Sequence, residues 1–114
     1  VWIAIDSVTV DNGAVYFVRG SHREGTLPTR QSGVTGNSIG LAEEPTVPKS
    51  EQFCATLDPG DATIHHCNVI HHSGPNKTDQ ARLGVLLVYR GSHTKTDPQL
   101  HATYTEAVSA TPPA

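Results

Sequence analysis

Short runs of β-branched residues cut by strong turn signals constrain this chain more than any other feature. "VWIAIDSVTV" (residues 1–10) runs into Asp11-Asn12-Gly13. Asn-Gly favours the left-handed backbone of a tight hairpin, so "AVYFV" (14–18) is expected to return as its partner strand. "EQFCATL" (51–57) alternates as a strand does, and "DPGD" (58–61) is a strong turn. "ATIHHCNVI" (62–70) reads as the next strand. "RLGVLLVY" (82–89) is almost continuously apolar, which predicts a strand covered on both faces. Such spacing, with Gly and Pro at the breaks, predicts an all-β sandwich or barrel of the jelly-roll kind. At 114 residues the chain suits one domain.

Two stretches escape this pattern. Thr26 to Ser50 is rich in Gly, Pro, Ser and Thr and has little periodicity. Residues 23–50 are therefore expected as a long loop or lid, with room for a short strand. The tail "SATPPA" (109–114) is too rich in proline to be regular. One helical turn near Thr105 to Val108 is conceivable, without a convincing amphipathic helix. The sequence opens on Val1 inside an expected strand, which suggests a natural start further upstream.

Composition removes several function classes. The net charge is −3 and there is no basic block, which argues against a nucleic-acid surface. No apolar run reaches membrane-spanning length and no secretory signal is visible, so a cytoplasmic protein is expected. Cys54 and Cys67 have neither the number nor the spacing of a disulfide framework or a zinc knuckle. Buried free thiols in a reducing compartment are expected, with a Cys54–Cys67 bridge as the alternative.

Four of the seven histidines fall within eight positions: His65, His66, His71 and His72. Taken singly, such histidines usually bond to turns and ordered water. A zinc site lacks a second His or Cys cluster at suitable spacing. His22 and His93 both follow Gly-Ser ("RGSH" and "RGSHT"), which reads as turn chemistry without a function. His71 differs, because it ends a strand just before the Ser73-Gly74-Pro75-Asn76 turn and can face a barrel mouth. Adjacent strand residues point to opposite faces, so His72 is expected to point away. Arg82 opens an apolar strand, where a guanidinium either snorkels or binds an anion; its planar fork suits a carboxylate. Together His71 and Arg82 suggest a site for a metal and a carboxylate ligand.

"VWIAIDSVTVDNGAVYFVRGSHREG" and "LDPGDATIHHCNVIHHSGPNKTDQAR" resemble two blocks of the phytanoyl-CoA dioxygenase family, in order and with a variable loop between them. In the family the first block has a Trp, an Asp, a Thr and Asn-Gly, then a Pro-Gly-Ser-His turn. The second has Pro-Gly-Asp, His-x-Ser-Gly-x-Asn and Arg. The likeness covers nearly all of residues 1–90. It implies a double-stranded β-helix, a jelly-roll or cupin-like barrel, and a dioxygenase reaction that depends on Fe(II) and 2-oxoglutarate. By this resemblance His71 is the distal iron ligand and Arg82 pairs with the far carboxylate of 2-oxoglutarate. Ser73 donates a hydroxyl to the cosubstrate, and Trp2 lines its pocket. Two His and one carboxylate hold iron in such enzymes and leave positions open for cosubstrate and oxygen.

The family's other two ligands form an H-x-D pair upstream of the position matching Trp2, and this chain contains no H-x-D. Arg19 also stands where the family usually has Pro. The chain is thus expected to be the C-terminal part of an oxygenase core, an incomplete barrel that acts on a small-molecule substrate in its longer form. Alone it is expected to bind iron poorly and to be inactive. His65, His66 and His72 are not expected to complete the ligand set. The carboxylate whose loss distinguishes a halogenase from a hydroxylase lies in the absent segment. Open sheet edges suggest a homo-oligomer. The reading from another class is a non-catalytic cupin-like module for ligand binding or oligomerisation.

Overall fold

A computed structural model describes residues 1–34 and 37–109. The chain divides into two compact units, Val1–Thr26 with Val47–Tyr89, and Leu27–Thr46 with Arg90–Ala114.

The first unit holds two three-stranded antiparallel sheets. One is built from β1 (Trp2–Ala4), β6 (Ala62–Thr63) and β8 (Gly84–Leu86), with β1 in the centre. The other is built from β2 (Val15–Val18), β5 (Gln52–Ala55) and β7 (His71–Ser73), with β2 in the centre. Along this unit the strands β1, β2, β5, β6, β7 and β8 fall in the first, second, second, first, second and first sheets. The last four change sheet at every step, the winding of a double-stranded β-helix. The fold is mostly β, as expected, and corresponds to an incomplete barrel of that kind.

The expected Asn-Gly hairpin does not form, because β1 and β2 belong to different sheets. Asn12 has a negative φ, and only Gly13 enters the left-handed region, at φ 92°. Asn12 instead works through its side chain. Its Oδ1 accepts from the Thr9 backbone N–H at 2.8 Å, its Nδ2 donates to the Ser7 carbonyl at 2.8 Å, and the Thr9 hydroxyl accepts its N–H at 3.3 Å. These bonds turn the chain out of the first sheet and toward the second. Asn12 is buried, and a buried polar group left unsatisfied costs about 1–3 kcal/mol. The Asp58–Asp61 turn forms as expected. The Asp61 carboxylate accepts the Asp58 N–H at 3.0 Å, and Gly60 takes φ 94°.

Two other strand expectations shrink. Residues 62–70 are extended only at β6, after which a turn brings the Val69 N–H to the His66 carbonyl at 3.1 Å. Residues 82–89 are regular only at β8 and are not covered on both faces: Leu86 is 61% exposed and Val88 85%. β8 pairs with β1 on one side and is an edge strand on the other. The core is correspondingly thin. Ala4, Val8 and Ala14 form its buried centre, with Trp2, Cys54 and Leu57 packed on it. Cys54 and Cys67 are both free; Cys54 is half-buried, and Cys67 is exposed rather than buried.

The second unit contains a hairpin, β3 (Thr29–Val34) with β4 (Asn37–Leu41), inside the stretch read as loop. It also contains a helix, α1 (Pro98–Ser109), which lies against β4. Only a single turn was expected there. The start signal is nevertheless plain: Asp97 accepts the N–H groups of Gln99 at 2.9 Å and Leu100 at 3.1 Å, and Pro98 occupies the first helical position. Thr103, Thr105 and Ser109 turn their hydroxyls back onto carbonyls four residues earlier, so weak helix formers are accommodated. The expectation for the tail beyond Ser109 lies outside the described residues.

Gly84 tests the packing of the first sheet. A Cβ there would overlap the indole of Trp2, which lies directly across β8. Gly84→Ala should displace the indole and red-shift the emission of the chain's single tryptophan, with a loss of about 1–3 kcal/mol in urea unfolding, the usual cost of overpacking.

Candidate active site

The two sheets of the first unit face each other across a cavity of about 330 Å³. Its wall takes Trp2, Thr63 and Leu86 from the first sheet, and Val15, Phe17, Ala55 and His71 from the second, together with His65. Trp2 pairs with Thr63 on one side and Leu86 on the other, so one row across the sheet supplies three wall residues.

The residue before His71 is held at both its backbone groups. The Ile70 carbonyl accepts the Val18 N–H at 2.9 Å, and the Ile70 N–H donates to the Ser21 hydroxyl at 2.8 Å. Ser21 is buried, and its hydroxyl donates in turn to the Val18 carbonyl at 2.9 Å. The Gly-Ser-His turn, given no role from sequence, therefore fixes where β7 begins. β7 then pairs His71 with Phe17 and His72 with Tyr16. His71 lies on the cavity wall, 5.9 Å from Phe17 between ring centres. His72 is stacked on Tyr16 at 5.1 Å and bonded to the Gln52 side chain at 3.0 Å, so the two neighbours separate as strand alternation requires.

The His71 ring has a defined hydrogen pattern. Its Nδ1 lies 2.9 Å from the Val69 carbonyl oxygen. A carbonyl only accepts, so Nδ1 carries the hydrogen, and Nε2 of the neutral ring keeps its lone pair. That is the arrangement in which metal-binding histidines are commonly held.

Arg82 lies over the Trp2 ring, 5.6 Å from its centre. Stacking on an aromatic face suits a guanidinium and leaves its edge donors open. Arg82 makes no ion pair among the described residues. Trp2 and His71 thus share the cavity wall, with Arg82 attached through Trp2. Ser73 is exposed, ends β7 opposite Val15 and is not part of the wall.

His65 also lines the cavity. Its ring centre is 4.8 Å from Phe17 and 6.1 Å from His71, and its Nδ1 lies 3.4 Å from the Thr63 hydroxyl. From sequence it was only not expected to complete an iron ligand set, and no place in the wall was expected for it. Its neighbour His66 instead sits beside His22, 5.6 Å between ring centres. A turn lies between His65 and His71, so no strand period in the sequence links the two. Desolvation in the wall lowers the His65 pKa from the usual value, with a smaller contribution from His71. Among the described residues no three His, Cys, Asp or Glu side chains gather into a metal-holding group.

Known proteins place this geometry. The phytanoyl-CoA dioxygenase (PhyH) family model matches residues 1–84. The chain belongs to the phytanoyl-CoA dioxygenase family. Dioxygenase lolE1 of Epichloe uncinata is 36% identical over 97 residues, which are 85% of this chain and 35% of that protein. A phytanoyl-CoA dioxygenase domain-containing protein 1 homolog of Dictyostelium discoideum is 32% identical over 88 residues, 72% of this chain and 31% of its own length. The chain therefore spans about a third of the curated relatives it matches. Among solved structures, the apo form of the non-heme monooxygenase ThoJ aligns with a TM-score of 0.58 and 32% identity, covering 73% of this chain and 28% of that one. EvdO2 from Micromonospora carbonacea, in complex with 2-oxoglutarate, aligns with a TM-score of 0.54 and 27% identity, covering 69% of this chain and 32% of its own. No helix among the described residues is long and apolar enough to cross a membrane.

The lowered His65 pKa has a direct check. In an NMR pH titration its midpoint should fall below the ordinary histidine value of about 6.5. Because the folded value is depressed, stability should be retained above that pH and decline as the pH falls through the folded midpoint. A His65 midpoint at or above the ordinary value would show that the wall does not desolvate the ring.

Proposed function

We propose that this chain carries part of the active site of a non-haem Fe(II)/2-oxoglutarate-dependent dioxygenase that hydroxylates a small organic substrate. In this reading His71 contributes one iron ligand through Nε2, and Arg82 binds the far carboxylate of 2-oxoglutarate. Trp2 both lines the pocket and holds Arg82; Ser73, outside the wall, is given a hydroxyl toward the cosubstrate by the family resemblance alone.

The observation that carries the reading is His71 in the cavity wall with its Nδ1 2.9 Å from the Val69 carbonyl oxygen, a contact that calls for hydrogen on Nδ1 and so leaves Nε2 its lone pair. A ring held the other way would present a hydrogen where a ligand must present a lone pair. The Trp2-stacked guanidinium supports the carboxylate role, since it has no carboxylate partner among the described residues. The donor set fits the cofactors in kind: neutral imidazole suits iron, and a planar cation suits a dicarboxylate. Bound together, iron and 2-oxoglutarate would supply, with dioxygen as the oxidant, an oxidative decarboxylation that releases carbon dioxide and puts one oxygen atom of dioxygen into succinate and the other into a substrate C–H bond as a hydroxyl. This chain's residues position those groups. The apolar wall from Trp2, Val15 and Phe17 would shape the space for the substrate.

The reading draws the remaining iron ligands from a segment outside this chain, an H-x-D pair by the family resemblance. Ferrous iron gains little intrinsic affinity from a sparse ligand set. The 114-residue chain should therefore form no succinate above background with Fe(II), ascorbate and 2-oxoglutarate, whereas a version extended upstream through an H-x-D strand should. In the extended protein Arg82→Ala should weaken 2-oxoglutarate binding about 10- to 100-fold, the equivalent of the 1.5–3 kcal/mol of a charged hydrogen bond. Robust succinate formation by the 114-residue chain alone would contradict this reading.

A further inference from the structure

Arg82 is not alone in lying over an aromatic ring. Arg19 lies over Phe53, 5.3 Å from the ring centre. We infer that Arg19 binds an anionic group of the substrate, a carboxylate or a phosphate monoester, while the apolar remainder of that molecule occupies the cavity. The inference rests on the reading of the cavity as a substrate site and names the class of substrate it takes.

The sheet register puts Arg19 on the cavity side of the second sheet. Val15 and Phe17 of β2 line the cavity. The Arg19 N–H donates to the Glu51 carbonyl at 2.9 Å, so the ladder between β2 and β5 runs on past Val18. Alternate residues of a strand share a face, and Arg19 therefore follows Val15 and Phe17 on theirs. On β5, Ala55 lines the cavity and Phe53, two residues before it, pairs with Phe17. Phe53 and Arg19 are diagonal neighbours on that face, a relation in which long and aromatic side chains reach each other across a sheet. The guanidinium thus stands at the end of an apolar strip that begins in the cavity wall.

Its charge is available. Glu51 is its neighbour across the ladder, yet the two form no ion pair among the described residues. Stacking on the Phe53 face leaves the edge donors open, and their planar fork matches a carboxylate or phosphate. Arg19 is exposed, so water and salt weaken any contact with a small inorganic anion. Phe53 beside it is 48% exposed. An amphipathic acid gains the burial of its apolar part along Phe53 and Phe17 as well as the charge contact. Arg82 is carried on Trp2 of the first sheet, so a substrate acid and 2-oxoglutarate have separate cations. Arg19 stands where the family usually has Pro, outside the set of cosubstrate and iron contacts that the resemblance implies.

The test is a ¹H–¹⁵N NMR titration of the 114-residue chain with hexanoate, with hexyl phosphate and, as the uncharged control, with hexanamide. At least one acid should shift the Arg19 side-chain Nε–H and the Phe17 and Phe53 backbone signals. It should bind about fivefold more tightly than hexanamide, the upper end for an exposed ion pair. The difference should narrow as salt is raised. The tighter of the two acids tells a carboxylate from a phosphate. Arg19→Gln should abolish the preference for the acid and leave hexanamide binding unchanged. Arg19→Met, which still covers Phe53, replaces it if circular dichroism shows the first variant unfolded. A preference that survives in the Arg19 variant and is lost in Arg82→Gln would put the anion on Arg82, overturning this inference and leaving the carboxylate role of Arg82 intact. Equal binding of acids and amide, or an equal loss for all three in the Arg19 variant, would overturn it by reducing Arg19 to a cover for the Phe53 ring. No binding of any of the three would overturn it and count against the cavity as a substrate site as well.

Discussion

The Ser21 hydroxyl is the point on which the cavity depends. It donates to Val18 and accepts from Ile70, and so joins the end of β2 to the start of β7 across 49 positions of sequence. Neither bond is large; a typical net contribution is about 0.5–1.5 kcal/mol. Their effect is on phase. A strand slipped by one residue would send every side chain to the opposite face. With Ile70 fixed, His71 must lie across from Phe17 and His72 across from Tyr16. The Val69 carbonyl then sets the tautomer of His71, and the cavity acquires a lone-pair donor in an apolar wall.

A second constraint comes from Gly84. Its missing side chain lets the Trp2 indole lie flat across β8, and the indole in turn carries Arg82. The imidazole and the guanidinium are thus positioned by different sheets. Buried side chains between the sheets are few and small, with Ala4, Val8 and Ala14 at the centre. The space that large side chains would fill in an ordinary sandwich is the cavity itself. Apolar residues of the β8 region, Leu86 and Val88 among them, remain exposed beside it.

Much of this was legible in the sequence where chemistry is local. The Asp58–Asp61 turn, the divergence of His71 and His72, and the all-β fold followed from residue type and a period of two. The failures are non-local. Asn12-Gly13 carries the sign of a hairpin, yet the Asn12 side chain caps the Thr9 turn and the chain changes sheet. The apolar run 82–89 predicts cover on both faces, but no local signal says whether a partner strand is present. Asp97-Pro98 was a readable helix start, masked by the Thr-rich segment that follows. The Gly-Ser-His segment read only as turn chemistry, because the partner of Ser21, Ile70, is far away in sequence. The family blocks singled out His71 and Arg82 and gave no sign that the Arg82 guanidinium lies over the Trp2 ring.

The account centres on one nitrogen, and long-range ¹H–¹⁵N correlation spectra of the imidazoles report on it directly. At neutral pH and without metal, His71 should appear as the tautomer with hydrogen on Nδ1 and an unprotonated Nε2. A His71 spectrum showing hydrogen on Nε2 instead would contradict the account, because the ring would then offer the cavity a donor rather than a ligand.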